Sequence, residues 1–362
     1  MHIVTDLLIA VISAYLAFTS TLASGIESLF ATAEPAHETT KPAETTDHTL
    51  SALPSRLSSL IPDVLLRSAD YQQAAAVAEA GLSGTTVDDP LDAVVNILCT
   101  YTTEEYIRTT TGTGFFIDPD GVIMTNAHVA QFLLLEATHE NGETDCVVRT
   151  GNPAAPTYHA GLLYISPAWV VTNAEMMTAA VPMGTGERDY ALLYASERVD
   201  GEPLPAVFPA LTFDPDLLAL STREAEVLAA GYPATSLLER GPHVDLIPQK
   251  AYTTVSELYT FGSNYADVIS IRGSEVGAEG ASGGPVLNSA GEVIGVIVTR
   301  GDDTTDGTGS LRAITVSHID RTILEETGFT LAENVGGNLA YRADIFAQTL
   351  SPFLLTILQQ AN

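Results

Sequence analysis

The chain is 362 residues long and 46% hydrophobic, and it carries 45 acidic against 15 basic residues for a formal charge of −30. That length and apolar content suffice for two domains or one large one and exclude disorder throughout. A field of this sign repels phosphate backbones and anionic headgroups, so neither nucleic acid nor a membrane surface is an expected partner.

From Leu7 to Ala23 the residues are almost all apolar or small, and the run ends in small residues that suit an export peptidase. Residues 1–23 therefore read as a signal sequence, with an uncleaved N-terminal membrane anchor as the alternative. Asp6 ahead of the run, with no Lys or Arg there, departs from the usual signal pattern. Residues 24–53 are rich in Thr, Glu, Ala and Pro without apolar periodicity and read as a disordered linker. Residues 54–90 form a helical pre-domain segment in which Pro62 opens the helical pattern, alanines carry it to Ala80 and Gly81 ends it.

At Ala93 the rhythm changes to short β-rich runs divided by turns. Ala93–Leu98 is a strand, and Gly114–Ile117 and Val122–Met124 form a hairpin around Asp118-Pro119-Asp120-Gly121. Further strands are expected at Cys146–Val148, Leu162–Ile165, Tyr190–Leu193, Glu226–Ala230, Ala251–Val255, Val268–Ile271 and near Ile314. Many short strands without a βαβ rhythm predict an all-β sandwich or barrel architecture. Ser317 is the expected cap of a helix through Glu326. The tail, 328–362, places Phe346, Leu350, Phe353, Leu354, Ile357 and Leu358 on one helical face broken by Pro352, with packing on the body as its default role. Cys99 and Cys146 are too few for a disulfide scaffold and lack zinc-finger spacing. One bridge is the natural use if the chain is exported, and two buried free thiols are the alternative. Asp302–Gly307 lacks the distal acid of a calcium loop and reads as an acidic loop, so no metal is expected.

Three stretches carry chemistry. Thr125-Asn126-Ala127-His128-Val129 ends the first hairpin where a general base would be presented. Arg188-Asp189-Tyr190 puts a carboxylate at the start of an apolar strand, with Asp145 as the next candidate. Gly280-Ala281-Ser282-Gly283-Gly284-Pro285 has the glycines that let a serine hydroxyl project while backbone N–H groups converge on the oxyanion it creates. As Gly-x-Ser-x-Gly the last stretch also fits an α/β-hydrolase elbow, with Asp306 and His318 coming later in the right order, but an elbow needs a helix after the serine. Ser282 instead precedes two β-rich runs, Pro285–Leu287 and Val293–Val298, around an Asn/Ser/Gly turn. His139, His159 and His243 lie in polar segments and read as surface residues.

The order His, Asp, Ser with these flanking residues resembles the chymotrypsin/trypsin superfamily of serine endopeptidases, particularly its bacterial extracytoplasmic, high-temperature-requirement-like members, from about Val94 to Glu326. The resemblance implies two antiparallel six-stranded β-barrels, here 91–205 and 206–327, with the active site between them. It implies Ser282 as nucleophile, His128 as general base, Asp189 as its orienting carboxylate and the N–H groups of Gly280 and Ser282 as the oxyanion hole, with no cofactor. By position, Val276, Gly277, Ala278, Val298 and Thr299 would line the specificity pocket; no acid is evident there, so small or medium apolar side chains rather than Lys or Arg are the expected preference. Ala281 stands where trypsin-type enzymes carry the aspartate that receives a new N-terminus, so that route of activation is not expected. The few dozen residues after Glu326 fall short of the peptide-binding domain that many bacterial relatives append. The expectation is an exported, extracytoplasmic endopeptidase acting on polypeptides, against a catalytically silent binding module of the same fold or an esterase with the elbow.

Overall fold

The computed structural model describes residues 87–102, 107–136, 142–174, 186–234, 245–273, 276–300 and 309–361. The leader, the linker, the helix expected over 62–80, the acidic loop 302–307, His139 and His243 lie outside the described residues.

Two closed antiparallel barrels of six strands each make up the body. The first runs in the order β1-β2-β3-β6-β5-β4, from β1 (Val94–Thr102), β2 (Ile107–Phe116), β3 (Val122–Thr125), β4 (Glu143–Thr150), β5 (Ala155–Ile165) and β6 (Ala191–Arg198). The second closes as β10-β11-β12-β9-β8-β7, from β7 (Glu226–Gly231), β8 (Gln249–Tyr259), β9 (Val268–Ile271), β10 (Pro285–Leu287), β11 (Val293–Arg300) and β12 (Leu311–Thr315). Closure leaves neither sheet a free edge.

Local chemistry sets the β2–β3 hairpin. Asp118 Oδ1 accepts the Asp120 N–H at 2.8 Å, and Gly121 takes φ +94°, a left-handed conformation in which a side chain would also run into Phe208. Phe208, from the segment joining the barrels, stacks 4.9 Å from Phe116 and 5.5 Å from Tyr158 in the core of the first barrel. Such pairs add about 0.5–1.5 kcal/mol beyond their area. Cys99 and Cys146 face each other across β1 and β4 and are bridged.

Helices sit at the barrel ends. α1 (Ala127–Glu136) comes directly after β3, and α2 (Pro167–Asn173) is capped by Ser166, whose Oγ accepts the Trp169 N–H at 3.2 Å. α3 (Val316–Thr327) is capped by Thr315, two residues before the serine expected in that role, because the β12 backbone is still extended there and its hydroxyl reaches the His318 N–H. Gly328 ends it at φ +81°. α4 (Leu331–Val335), α5 (Leu339–Thr349) and α6 (Ser351–Ala361) carry the chain back to the first barrel. Phe346, Leu350, Leu354 and Leu358 are buried there with Trp169 and Leu134. Each contributes about 1.5–3 kcal/mol to seating the tail on the first barrel. Among the described residues no helix is long and apolar enough to cross a membrane.

Candidate active site

β3 is buried along its whole length and delivers Asn126 and His128 at the barrel rim, where α1 starts with the Val129 and Ala130 N–H groups on Asn126 O. Asp189 receives the histidine twice. Its Oδ2 lies 2.7 Å from His128 Nδ1, and its Oδ1 accepts the His128 backbone N–H at 2.9 Å. An almost fully buried carboxylate held this way keeps the proton on Nδ1 and leaves Nε2 as the basic nitrogen. Asn126 Nδ2 donates to Asp189 O at 2.8 Å and ties the two segments a third time.

The turn that presents Asp189 is unusual for its backbone. Gly186 has φ +82° and Arg188, a residue with a long side chain, has φ +57°. A left-handed conformation costs such a residue on the order of 1–2 kcal/mol. It persists because the Arg188 guanidinium is clamped from α3, donating to Glu326 Oε1 at 2.6 Å and Glu325 Oε2 at 2.8 Å. Glu326 also accepts from Tyr164 Oη and from Ser166 Oγ. Burial pushes the Glu326 carboxyl up from its ordinary value, with Arg188 pulling the other way. Desolvation pulls the Arg188 pKa down most strongly, but the Glu326 charge, Tyr190 and the hydrogen bonds to Glu325 and Glu326 together outweigh it and hold the pKa above the ordinary value.

Ser282 lies on a tight turn of the second barrel between left-handed Gly280 (φ +92°) and Gly283 (φ +90°). A Cβ on Gly283 would lie 1.9 Å from Thr113 O and 2.5 Å from Thr125 Oγ1, so only glycine lets this turn meet the end of β3, three residues before His128. The N–H groups of Gly280 and Ser282 donate to nothing among the described residues, whereas those of Ala281, Gly283 and Gly284 all have acceptors. Two unpaired N–H groups flanking one hydroxyl are the arrangement an oxyanion requires. The Ser282 hydroxyl itself donates to Val298 O at 3.2 Å and not to His128.

Of the pocket candidates, Val276 is fully buried in the core of the second barrel, Gly277 is buried, Ala278 and Thr299 are half-buried, and Val298 is buried against Gly186. Ser282 leads into a strand, β10, which removes the elbow reading, and His318 is instead buried on α3 beside Asp267. Asp145 lies on β4 next to the bridge. His159 is half-buried on β5. Among the described residues no group of three or more His, Cys, Asp or Glu is placed to hold a metal.

The profile of the trypsin-like peptidase domain matches residues 112–296, just over half of the chain and the span that contains His128, Asp189 and Ser282. The chain belongs to the trypsin-like peptidase family. Solved structures similar to this peptidase include the active form of the Rv3671c protease from M. tuberculosis, 20% identical, covering 83% of this chain and 96% of that one with a TM-score of 0.39. An inactive form of Rv3671c protease is 21% identical, with coverage of 65% and 89% and a TM-score of 0.38. A serine-to-alanine mutant of Rv3671c from M. tuberculosis H37Rv, also inactive, is 19% identical, with coverage of 73% and 93% and a TM-score of 0.37. No curated protein matches the peptidase in sequence.

Thr113 and Glu326 take part in this geometry without having been singled out in the sequence, and Asn126 and Arg188 stood there only as flanks of the motifs. The Gly112-Thr113-Gly114 run was a signal, since glycines around a lone hydroxyl in a strand mark a close backbone approach. For Glu326, 138 residues from Arg188, the peptidase sequence offers no local sign.

Proposed function

We propose that this trypsin-like peptidase is an exported endopeptidase that cleaves polypeptides through an acyl-enzyme formed on Ser282. His128 Nε2 takes the serine proton as Oγ attacks the scissile carbonyl, then returns it to the leaving amine. Asp189 holds the tautomer and stabilises the imidazolium that forms between those steps. The Gly280 and Ser282 N–H groups receive the oxyanion. Water then attacks the acyl-enzyme by the same relay in reverse. The observation that carries this reading is the double engagement of His128 by Asp189, since a histidine kept only for packing needs no carboxylate on both its ring and its backbone N–H.

Export rests on the apolar leader and agrees with the Cys99–Cys146 bridge, because disulfides persist outside the reducing cytosol. The leader is either removed or retained as an anchor on the outer side of the membrane. Of the pocket candidates, Val276 is sealed in the barrel core, and Gly277, Ala278, Val298 and Thr299 supply no acid, which supports cleavage after small or medium apolar residues rather than after Lys or Arg. A second reading, a catalytically silent binding module, is favoured by one feature, the Ser282 hydroxyl turned to Val298 O. Digestion of casein separates the two: fragments that vanish with Ser282→Ala support the peptidase, and intact casein in the presence of folded wild type supports the module.

A further inference from the structure

Thr113 is fully buried on β2 of the first barrel, and every polar atom it has is engaged. Its N–H donates to Ser282 O at 2.8 Å. Its carbonyl accepts Thr125 Oγ1 at 2.7 Å. Its hydroxyl accepts the Tyr232 N–H at 2.9 Å and donates to Gly280 O at 2.6 Å. A backbone N–H can only donate and a carbonyl can only accept, so both directions are set: the hydroxyl proton belongs to Gly280 O.

The two unpaired N–H groups beside Ser282 sit on the peptide units 279–280 and 281–282, and the unit between them is 280–281, whose carbonyl Thr113 holds. The outer units are fixed from within the second barrel, with Ala234 N–H on Glu279 O at 2.6 Å and Gly284 N–H on Ala281 O at 2.9 Å. The middle unit is held at its N–H end from within the second barrel, Ala281 N–H on Ala278 O at 3.1 Å, and at its carbonyl end by a side chain from the other barrel. Gly280 has no Cβ to resist rotation, so its φ of +92° depends on what grips the adjoining peptides. We propose that the Thr113 hydroxyl is a positioning device for the oxyanion hole, aligning the Gly280 and Ser282 N–H groups on one point and tying that alignment to the barrel that carries His128. The proposal rests on the catalytic reading of Ser282.

The hydroxyl acts on the transition state and not on bound substrate, so its loss separates two quantities. Thr113→Val keeps the shape and removes the bond. The full chain is assayed with a peptide substrate that it turns over, and with a peptide boronate, which forms a tetrahedral adduct on the serine, beside the unreactive carboxamide of the same peptide. Thr113→Val is expected to lower kcat by about 10- to 100-fold with KM within twofold, to weaken the boronate by a similar factor and to leave carboxamide affinity unchanged. Thr113→Ser, which retains the donor, is expected to stay within about threefold of wild type on every measure. If the valine variant does not fold, Thr113→Cys, with a feeble donor of nearly the same size, is expected to fall between serine and the valine prediction. A kcat and boronate affinity unchanged in Thr113→Val, a loss confined to KM, or equal losses in the serine variant and in the valine or cysteine one overturn the proposal. A wild type no more active than Ser282→Ala overturns the catalytic reading itself, and the proposal with it, and is told apart from the other results by that comparison.

Discussion

Arg188 and Glu326 pair at 2.6 Å across 138 residues, immediately beside the carboxylate that orients His128. The helix that closes the second barrel thereby holds a strained turn of the first. Removing one member of a buried pair typically costs about 3–5 kcal/mol, and here it would leave Arg188 only the exposed Glu325 as a counter-charge. Glu326→Gln, which keeps two hydrogen-bonding atoms, is expected toward the low end of that range in urea unfolding. It is also expected to lower kcat/KM by roughly tenfold, since the turn carrying Asp189 loses its clamp. Loss of stability with full activity would show that Asp189 is held by its own contacts alone.

Asp189→Asn tests the orienting role directly. An amide presents an N–H as readily as an oxygen to His128 Nδ1 and no longer fixes the tautomer, so turnover is expected to fall about 10⁴-fold at neutral pH. The cooperative unfolding transition should persist, as monitored by circular dichroism. A variant within tenfold of wild type would remove Asp189 from the mechanism.

Glu136 closes α1, the helix that begins beside His128. Burial and the neighbouring Asp145 raise its carboxyl to about 7, against the pull of the Cys146 N–H it accepts. The folded protein then binds more protons than the unfolded chain between about pH 4.5 and 7, so stability falls as pH rises through that window. The loss is on the order of 2 kcal/mol once its partial exposure is allowed for. Glu136→Gln should flatten the slope and raise Tm above pH 7, read by thermal melts from pH 4 to 9. A slope unchanged by the substitution would assign it to other groups.

The Cys99–Cys146 bridge closes a separation of 47 residues, which in the chain-entropy model stabilises by about 4 kcal/mol. Reduction, or the double substitution Cys99→Ser with Cys146→Ser, should lower the urea midpoint accordingly, and the two treatments should agree. A midpoint indifferent to reductant would mean that β1 and β4 hold together without it.

Much of this geometry is written locally. The β10–β11 hairpin, the Asp118–Gly121 turn and the glycines about Ser282 are all set by neighbours within a few residues, and those readings match the barrels. α1 was missed because it is buried nearly all round, from Ala127 to Leu135, and so lacks the polar face that marks a helix. β5 extends back to Ala155, beyond the expected Leu162, because register shifts at His159/Ala160 and Leu162/Tyr164 break the alternation that would reveal a long strand. In the tail the break expected at Pro352 falls at Leu350, and Pro352 is instead the second residue of α6, where its missing N–H costs nothing. The candidate triad was legible from flanking motifs, but its supports were not. Thr113 and Glu326 act at separations of 167 and 138 residues, which no pattern in a single sequence encodes.

The most direct test of the catalytic reading is covalent labelling of the full chain by a fluorophosphonate, with the adduct located by mass spectrometry. One adduct is predicted, on Ser282, lost in Ser282→Ala and reduced by orders of magnitude in His128→Ala. A folded wild type that takes no label, or one that labels equally well without His128, would contradict it.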